Sequence, residues 1–253
     1  MEARPLRSCC FFRGDMLQWQ KPEGGKVVKR WLSMVLTAVL LLSLCACAEE
    51  PQVTEEPTQT NEPATVPATT AGEKDPQMGE FTDGIYTNDF LGIRCEVSEE
   101  WAVYSDSQLA QLNGLVLDTM TDADIVEQLK KSNVAHLFYA TADGGHRSVN
   151  VVLENVGVFN GVLLDEKTYM AVSVEQLPTA LQSMGLTGVT ATADTASFAG
   201  KKHAAVQVRG MLSEVPFYEK IVCIKTGNYF GLITVASYHE DETDALLKMF
   251  KAN

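Results

Sequence analysis

The groups in this chain that can do chemistry are few and lie far apart. Its four histidines are His136, His146, His203 and His239. Each can act as a base, a proton shuttle or a metal ligand. None has a partner at metal-ligand spacing, so they are expected apart, on the surface or satisfied in the core. Acids gather twice, as Glu240-Asp241-Glu242 with Asp244 and as Asp118 with Asp122 and Asp124. Each group precedes a helical pattern, where carboxylates favour the positive helix N-terminus over a bound cation. Lys201-Lys202-His203 follows Gly200 and reads as a solvated hairpin tip rather than an anion grip. Trp101 and Tyr104 are expected to close one end of the core rather than line a ligand groove. No G-x-S-x-G, P-loop, H-E-x-x-H or EF-hand loop occurs. No catalytic, cofactor-binding or metal-binding residue is assigned, and the chain is expected to be neither an enzyme nor a cofactor carrier.

One further residue has chemistry of a different kind. Lys29 and Arg30 precede an apolar run from Trp31 to Leu44, and Leu44-Cys45-Ala46-Cys47 follows. The run is shorter than the roughly 20 residues that a membrane-spanning helix needs. A basic start, a short apolar stretch and small residues at the end form a secretory signal over 28–46. With Cys47 at the cut, the segment resembles the lipobox of bacterial lipoproteins. The resemblance implies cleavage between Ala46 and Cys47, a diacylglycerol thioether on Cys47, and often a third acyl chain on its new amine. One acyl chain binds membranes weakly; two or three make a lasting tether. The expected location is the extracytoplasmic face of the cell membrane, with the membrane itself as partner through the anchor. Residues 1–27 precede the signal and are expected to lie upstream of the true start. Glu23-Gly24-Gly25-Lys26 is how a purine-rich ribosome-binding sequence reads when translated, which places the start at Val27 or Val28.

From Cys47 onward the chain carries 13 basic and 30 acidic residues, a net charge of −17. That balance excludes a nucleic-acid partner, which needs a basic footprint. It also argues against lying flat on anionic lipid. Beyond the leader only Cys95 and Cys223 remain, and an exported pair can form a disulfide. Each lies at an apolar position of a strand-like run, which favours two buried thiols.

Residues 47–80 hold the lipidated cysteine and a Pro/Thr/Glu linker, with Pro51, Pro57, Pro63, Pro67 and Pro76 and no aromatic residue. Such a stretch buries too little apolar surface to fold and is expected to be a disordered stalk. Residues 81–253 are the size of one domain. Gly84-Ile85-Tyr86-Thr87 and the turn pair Asn88-Asp89 open a hairpin whose return places Leu91, Ile93, Cys95 and Val97 on one face. Ser105 with Gln108, and Thr121 with its acidic first turn, start two short helices. Residues 134–141 and 148–156 make a second hairpin around Asp143-Gly144-Gly145. A long helix spans 165–184, with Tyr169, Val172, Leu177, Ala180, Leu181 and Met184 as its buried stripe and Pro178 expected to kink or divide it. Strands follow at 188–195, 203–212, 216–226 and 229–238, and a closing helix at 241–250. Hairpins without sustained βαβ alternation predict an α+β fold, one antiparallel sheet with helices packed on its faces.

Gly84 to Ile93, Trp101, Ala199-Gly200-Lys201 and Gly227-Asn228-Tyr229 together resemble PsbP-like lipoproteins of anaerobic Gram-positive bacteria. The resemblance covers most of residues 81–250. It implies a PsbP-like fold in a lipoprotein setting and brings no site residue with it. The expected function is a lipid-anchored extracytoplasmic binding or accessory domain, whose partner is an envelope protein or a ligand. An envelope hydrolase assembled only by the fold, or a small-ligand carrier, is the alternative.

Overall fold

The computed structural model describes residues 75–198 and 200–253. The lipobox, the signal segment and residues 48–74 lie outside them. Pairing is antiparallel throughout, and the helices are short except for one. The α+β class expected from the hairpin pattern is what the chain adopts.

Strands form two sheets rather than one. The larger has seven strands: β4 (Ala102–Val103), β5 (Val134–Ala142), β6 (Arg147–Asn155), β10 (Tyr229–Tyr238), β9 (Val215–Thr226), β8 (Lys201–Leu212) and β7 (Leu186–Phe198), in that spatial order. The smaller has four: β1 (Glu80–Thr82), β2 (Ile85–Asn88), β3 (Ile93–Glu96) and β11 (Phe250–Ala252). The closing helix predicted over 241–250 is a shorter piece, Thr243–Leu247, because Phe250, Lys251 and Ala252 leave it to pair with Cys95, Arg94 and Ile93. That pairing buries Phe250 beside Cys95 in a way a surface helix would not.

Five α-helices lie among the described residues, α1 (Asp106–Leu112), α2 (Asp122–Ser132), α3 (Gly157–Leu163), α4 (Glu166–Ser183) and α5 (Thr243–Leu247), with a 3-10 turn at Asp143–Gly145. Both expected caps are present. The Ser105 hydroxyl accepts the Gln108 N–H while Gln108 reaches back to the Ser105 N–H, and Thr121 and Asp124 do the same for α2. Helix α4 runs unbroken through Pro178. Met170 on one side of that proline and Leu177, Ala180 and Leu181 on the other are buried, and the helix packs on β7, β8 and β9. Val172, expected in the stripe, is instead 48% exposed.

Alternation along β10 sorts the layers. Phe230 stacks on Tyr169 of α4, with ring centroids 4.4 Å apart. Gly231, its neighbour, faces the other way, where a Cβ would lie 2.6 Å from the Leu91 side chain. The small sheet therefore covers one face of the large sheet and α4 the other. Tyr86 of β2 stacks on Phe138 of β5 at 4.4 Å and carries the contact between sheets. Cys223 pairs with Leu232 on the α4 face, whereas Cys95 belongs to the small sheet, so the large sheet separates them. Both are buried free thiols. Burial pushes the Cys95 thiol up to about 12 and raises that of Cys223 as well.

The folded part begins before Phe81. Pro76 is buried. The Tyr86 hydroxyl donates to Met78 O at 2.7 Å, Asn88 Nδ2 donates to Gln77 O at 2.9 Å, and the Met78 N–H donates to Asp122 Oδ1 at 2.7 Å. Composition alone assigned these residues to the linker, because Pro76 and Gly79 look like linker residues until their partners are seen.

Candidate functional site

The β6–α3–α4 connection and the cleft beside it form the candidate site. Helix α3 is inverted relative to an ordinary surface helix. The Val156 N–H donates to Asn228 O at 3.1 Å and the Gly157 N–H to Asn155 Oδ1 at 2.9 Å. Gly161 lies so close to the β9–β10 turn that a Cβ there would be 2.7 Å from Asn228 Cα. Only glycine permits that approach. The helix is thus held by backbone contact, and its apolar side chains turn outward: Val158 is 70% exposed, Phe159 76%, Val162 77% and Leu163 62%. Burying them would contribute on the order of 5–10 kcal/mol before any cost of association. Contiguous exposed apolar surface of this kind marks an interaction face.

The cleft, about 790 Å³, opens where α3 hands over to α4 and is lined by Asp165, Glu166, Lys167, Met170, Lys202, His203 and Lys225 among others. Strands β8 and β9 pair only as far as Ala205 and Val222 and then part. The Glu166 carboxylate enters the gap. It accepts the Lys225 N–H at 3.0 Å, the Ala204 N–H at 3.3 Å, and meets His203 Nδ1 at 3.0 Å. Lys225 Nζ in turn donates to Leu164 O at 2.7 Å, tying the end of α3 to the same strand. Glu166 replaces backbone pairing that the splayed strands cannot make, which is why a carboxylate is needed at this point.

The histidines are not all apart. His203 is placed in the cleft against a carboxylate, which its sequence neighbours did not foretell. Thr195 is the one hydroxyl residue lining that cleft, and it pairs with Ala204, so its side chain leaves the opposite face of the strands from His203. His146 and His239 meet at the other end of the sheet, ring centroids 5.2 Å apart. His136 is buried, and burial lowers its pKa to about 4. Among the described residues no group of three or more His, Cys, Asp or Glu is arranged to hold a metal ion.

Most of the acids singled out in the sequence are engaged in caps and ion pairs, while Glu240 is exposed. Asp244 pairs with Lys220, Asp241 with Arg209 at 3.4 Å, and Glu242 with Arg147 at 3.8 Å. Asp122 and Asp124 hold Met78 and Thr121, while Asp118 is exposed. Trp101 is buried at one end of the core under the Arg147 guanidinium, 5.8 Å away, and Tyr104 lies on Tyr139 at 4.4 Å. Glu219 has a different environment. It lies fully buried on the α4 face of the large sheet, with neither carboxylate oxygen hydrogen-bonded, and burial pushes its pKa up to about 8.

Sequence reasoning missed α3 and Glu166. The signal for α3 was present: Val156 to Leu164 is an apolar run with no charge and with Gly157 and Gly161 four apart. Glu166 carried no signal beyond standing next to the α4 cap, Asp165.

No protein-family model matches the chain, and no curated protein matches it. Among solved structures it is similar to LpqN, described as involved in cell envelope biogenesis of Mycobacterium tuberculosis, with 15% identity, a TM-score of 0.32, and coverage of 62% of this chain and 76% of that one. A likeness this loose carries no argument about function. Among the described residues no helix is long and apolar enough to cross a membrane.

Proposed function

We propose that this is a non-enzymatic binding or accessory domain, held at the extracytoplasmic face of the cell membrane by lipid on Cys47, with α3 as its docking element. The observation that carries the reading is the outward-facing apolar surface of α3. The chemistry beside it is already engaged: Glu166 is bonded to two backbone N–H groups and to His203. A hydrolase reading needs a nucleophile within hydrogen-bond reach of a base, and the cleft presents His203 with no serine or cysteine in its lining. The carrier reading draws on the size of the same cleft, which falls in the range of small-molecule sites. Its open mouth favours surface docking over enclosure of a ligand.

Photo-cross-linking in living cells tests this. A photoreactive residue at position 159 is expected to give adducts with an envelope component. The same residue at the exposed Glu175 position of α4 is expected to give few or none. Equal labelling at both positions, or none at 159, would contradict the reading.

A further inference from the structure

We infer that α3 docks on the surface of an anionic phospholipid bilayer, the membrane to which the chain is tethered. This rests on the reading of α3 as a docking element and names its occupant.

The tether enters at the end of the sheet that carries α3. Gln77 is bonded to Asn88, and two residues on, Phe90 meets Tyr229 edge to face with centroids 5.4 Å apart. Tyr229 pairs with Asn155 and Thr226, and its neighbour Asn228 is the residue on which Gly161 of α3 rests. Residues 47–74, between the acylated cysteine and the described domain, span at most about 100 Å when fully extended. Nothing in that length forces the domain away from the bilayer, and the chain enters at the α3 end.

Charge is divided along the same axis. Lys130 and Lys131 lie in the last turn of α2, whose cap residue Asn133 accepts the Asn155 N–H at 2.7 Å. Lys201 and Lys202 begin β8, Lys225 is near the end of β9, and Lys167 is in the first turn of α4. These six make up half of the 12 basic residues in 75–253. At this end Glu166 and Glu154 are bonded inward, to His203 and Tyr169, and Asp165 caps α4. Asp89, in the β2–β3 turn, accepts from Asn253, while Asp75 and Glu80 stand exposed where the tether enters. At the opposite end stand Asp143, Glu214, Glu240, Asp241 and Glu242. Six further acids fall in residues 48–74, outside the domain. The negative net charge argues against the domain lying flat on anionic lipid, and the lysines gathered here allow contact by this end alone.

Helix α3 itself carries no charge, and it presents Phe159 with three branched aliphatics at one protruding face. An apolar helix face beside lysines is the arrangement by which interfacial helices sit at the headgroup boundary. A single weak element suffices here, because the lipid anchor already confines the domain near the surface.

The test is co-sedimentation with vesicles of the chain from residue 47 onward carrying Cys47→Ser, so that no acyl chain contributes. Binding is expected to vesicles of phosphatidylglycerol and phosphatidylcholine, and more weakly to phosphatidylcholine alone. Phe159→Asp with Val162→Asp is expected to lower partitioning about ten-fold or more. Lys202→Glu should lower it about five-fold on the anionic vesicles and leave the neutral ones unchanged. All three positions are exposed, and unchanged urea midpoints would show that the fold is retained. Failure of the unsubstituted chain to bind anionic vesicles would overturn the inference, as would undiminished binding by the double variant. If binding fails while the residue at position 159 cross-links to a protein in cells, the occupant is a protein: the inference falls and the docking reading stands. If both experiments fail, both readings fall.

Discussion

Replacing Glu219 with Met is expected to stabilise the domain at pH 8 by roughly 3–6 kcal/mol and to remove much of its loss of stability between weakly acidic and weakly basic pH. Glu219 is flanked across β8 and β10 by Val208 and Ala236, with no hydrogen-bond partner for either oxygen. Burial raises its carboxyl from 4.5 to about 8. Through that interval the folded chain keeps a proton that the unfolded chain has released. The folded state binds more protons, so stability falls as pH rises from about 4.5, by at most about 1.4 kcal/mol per pH unit, and levels off above 8. Below the lower limit the group is neutral in both states and contributes nothing to the pH slope. Met preserves the volume and removes the charge that must otherwise be neutralised or buried. Urea unfolding of both proteins at pH 4, 6 and 8 measures this. Parallel pH profiles for the two proteins would show that Glu219 is not held neutral by burial.

The second large effect is at the junction of the two sheets. Phe138→Ala is expected to cost about 3–5 kcal/mol. The ring is 2% exposed, lies on Tyr86 at 4.4 Å, and is reached from outside by Phe81 at 6.1 Å. A register shift between His136 and Phe138 occurs where this side chain enters the inter-sheet layer. The small sheet joins the first strands of the domain to the last, so the cavity weakens the hold on both termini. Urea unfolding gives the total loss. Native-state amide exchange is expected to show it concentrated in β2, β3 and β11. A loss below about 1 kcal/mol would mean that the two sheets are held together elsewhere.

The same elements show why some of this was legible in the sequence. The long hairpins could be read because alternation and turn chemistry agree: Asp143-Gly144-Gly145 and Gly227-Asn228 fix β5–β6 and β9–β10 closely to their observed limits. Both caps were local and therefore visible. The second sheet was not, since Phe250 to Ala252 pair with residues from the opposite end of the domain and contain only one large apolar side chain. Helix α3 is hard to read from sequence because its pattern is inverted, with glycine inward and Phe outward, the reverse of the usual amphipathic period. Glu166 acts at a gap between β8 and β9 that exists only once those strands diverge. The six lysines are scattered through the chain and gather at one end only through the topology.

The docking role of α3 is tested most directly by amide hydrogen exchange on the lipidated protein, compared in its own membranes and after release into detergent-free solution as the Cys47→Ser chain. Slower exchange over residues 157–164 is expected in membranes, with the acidic end around Asp143 and Glu240 unchanged. Equal exchange over 157–164 in the two states would contradict it.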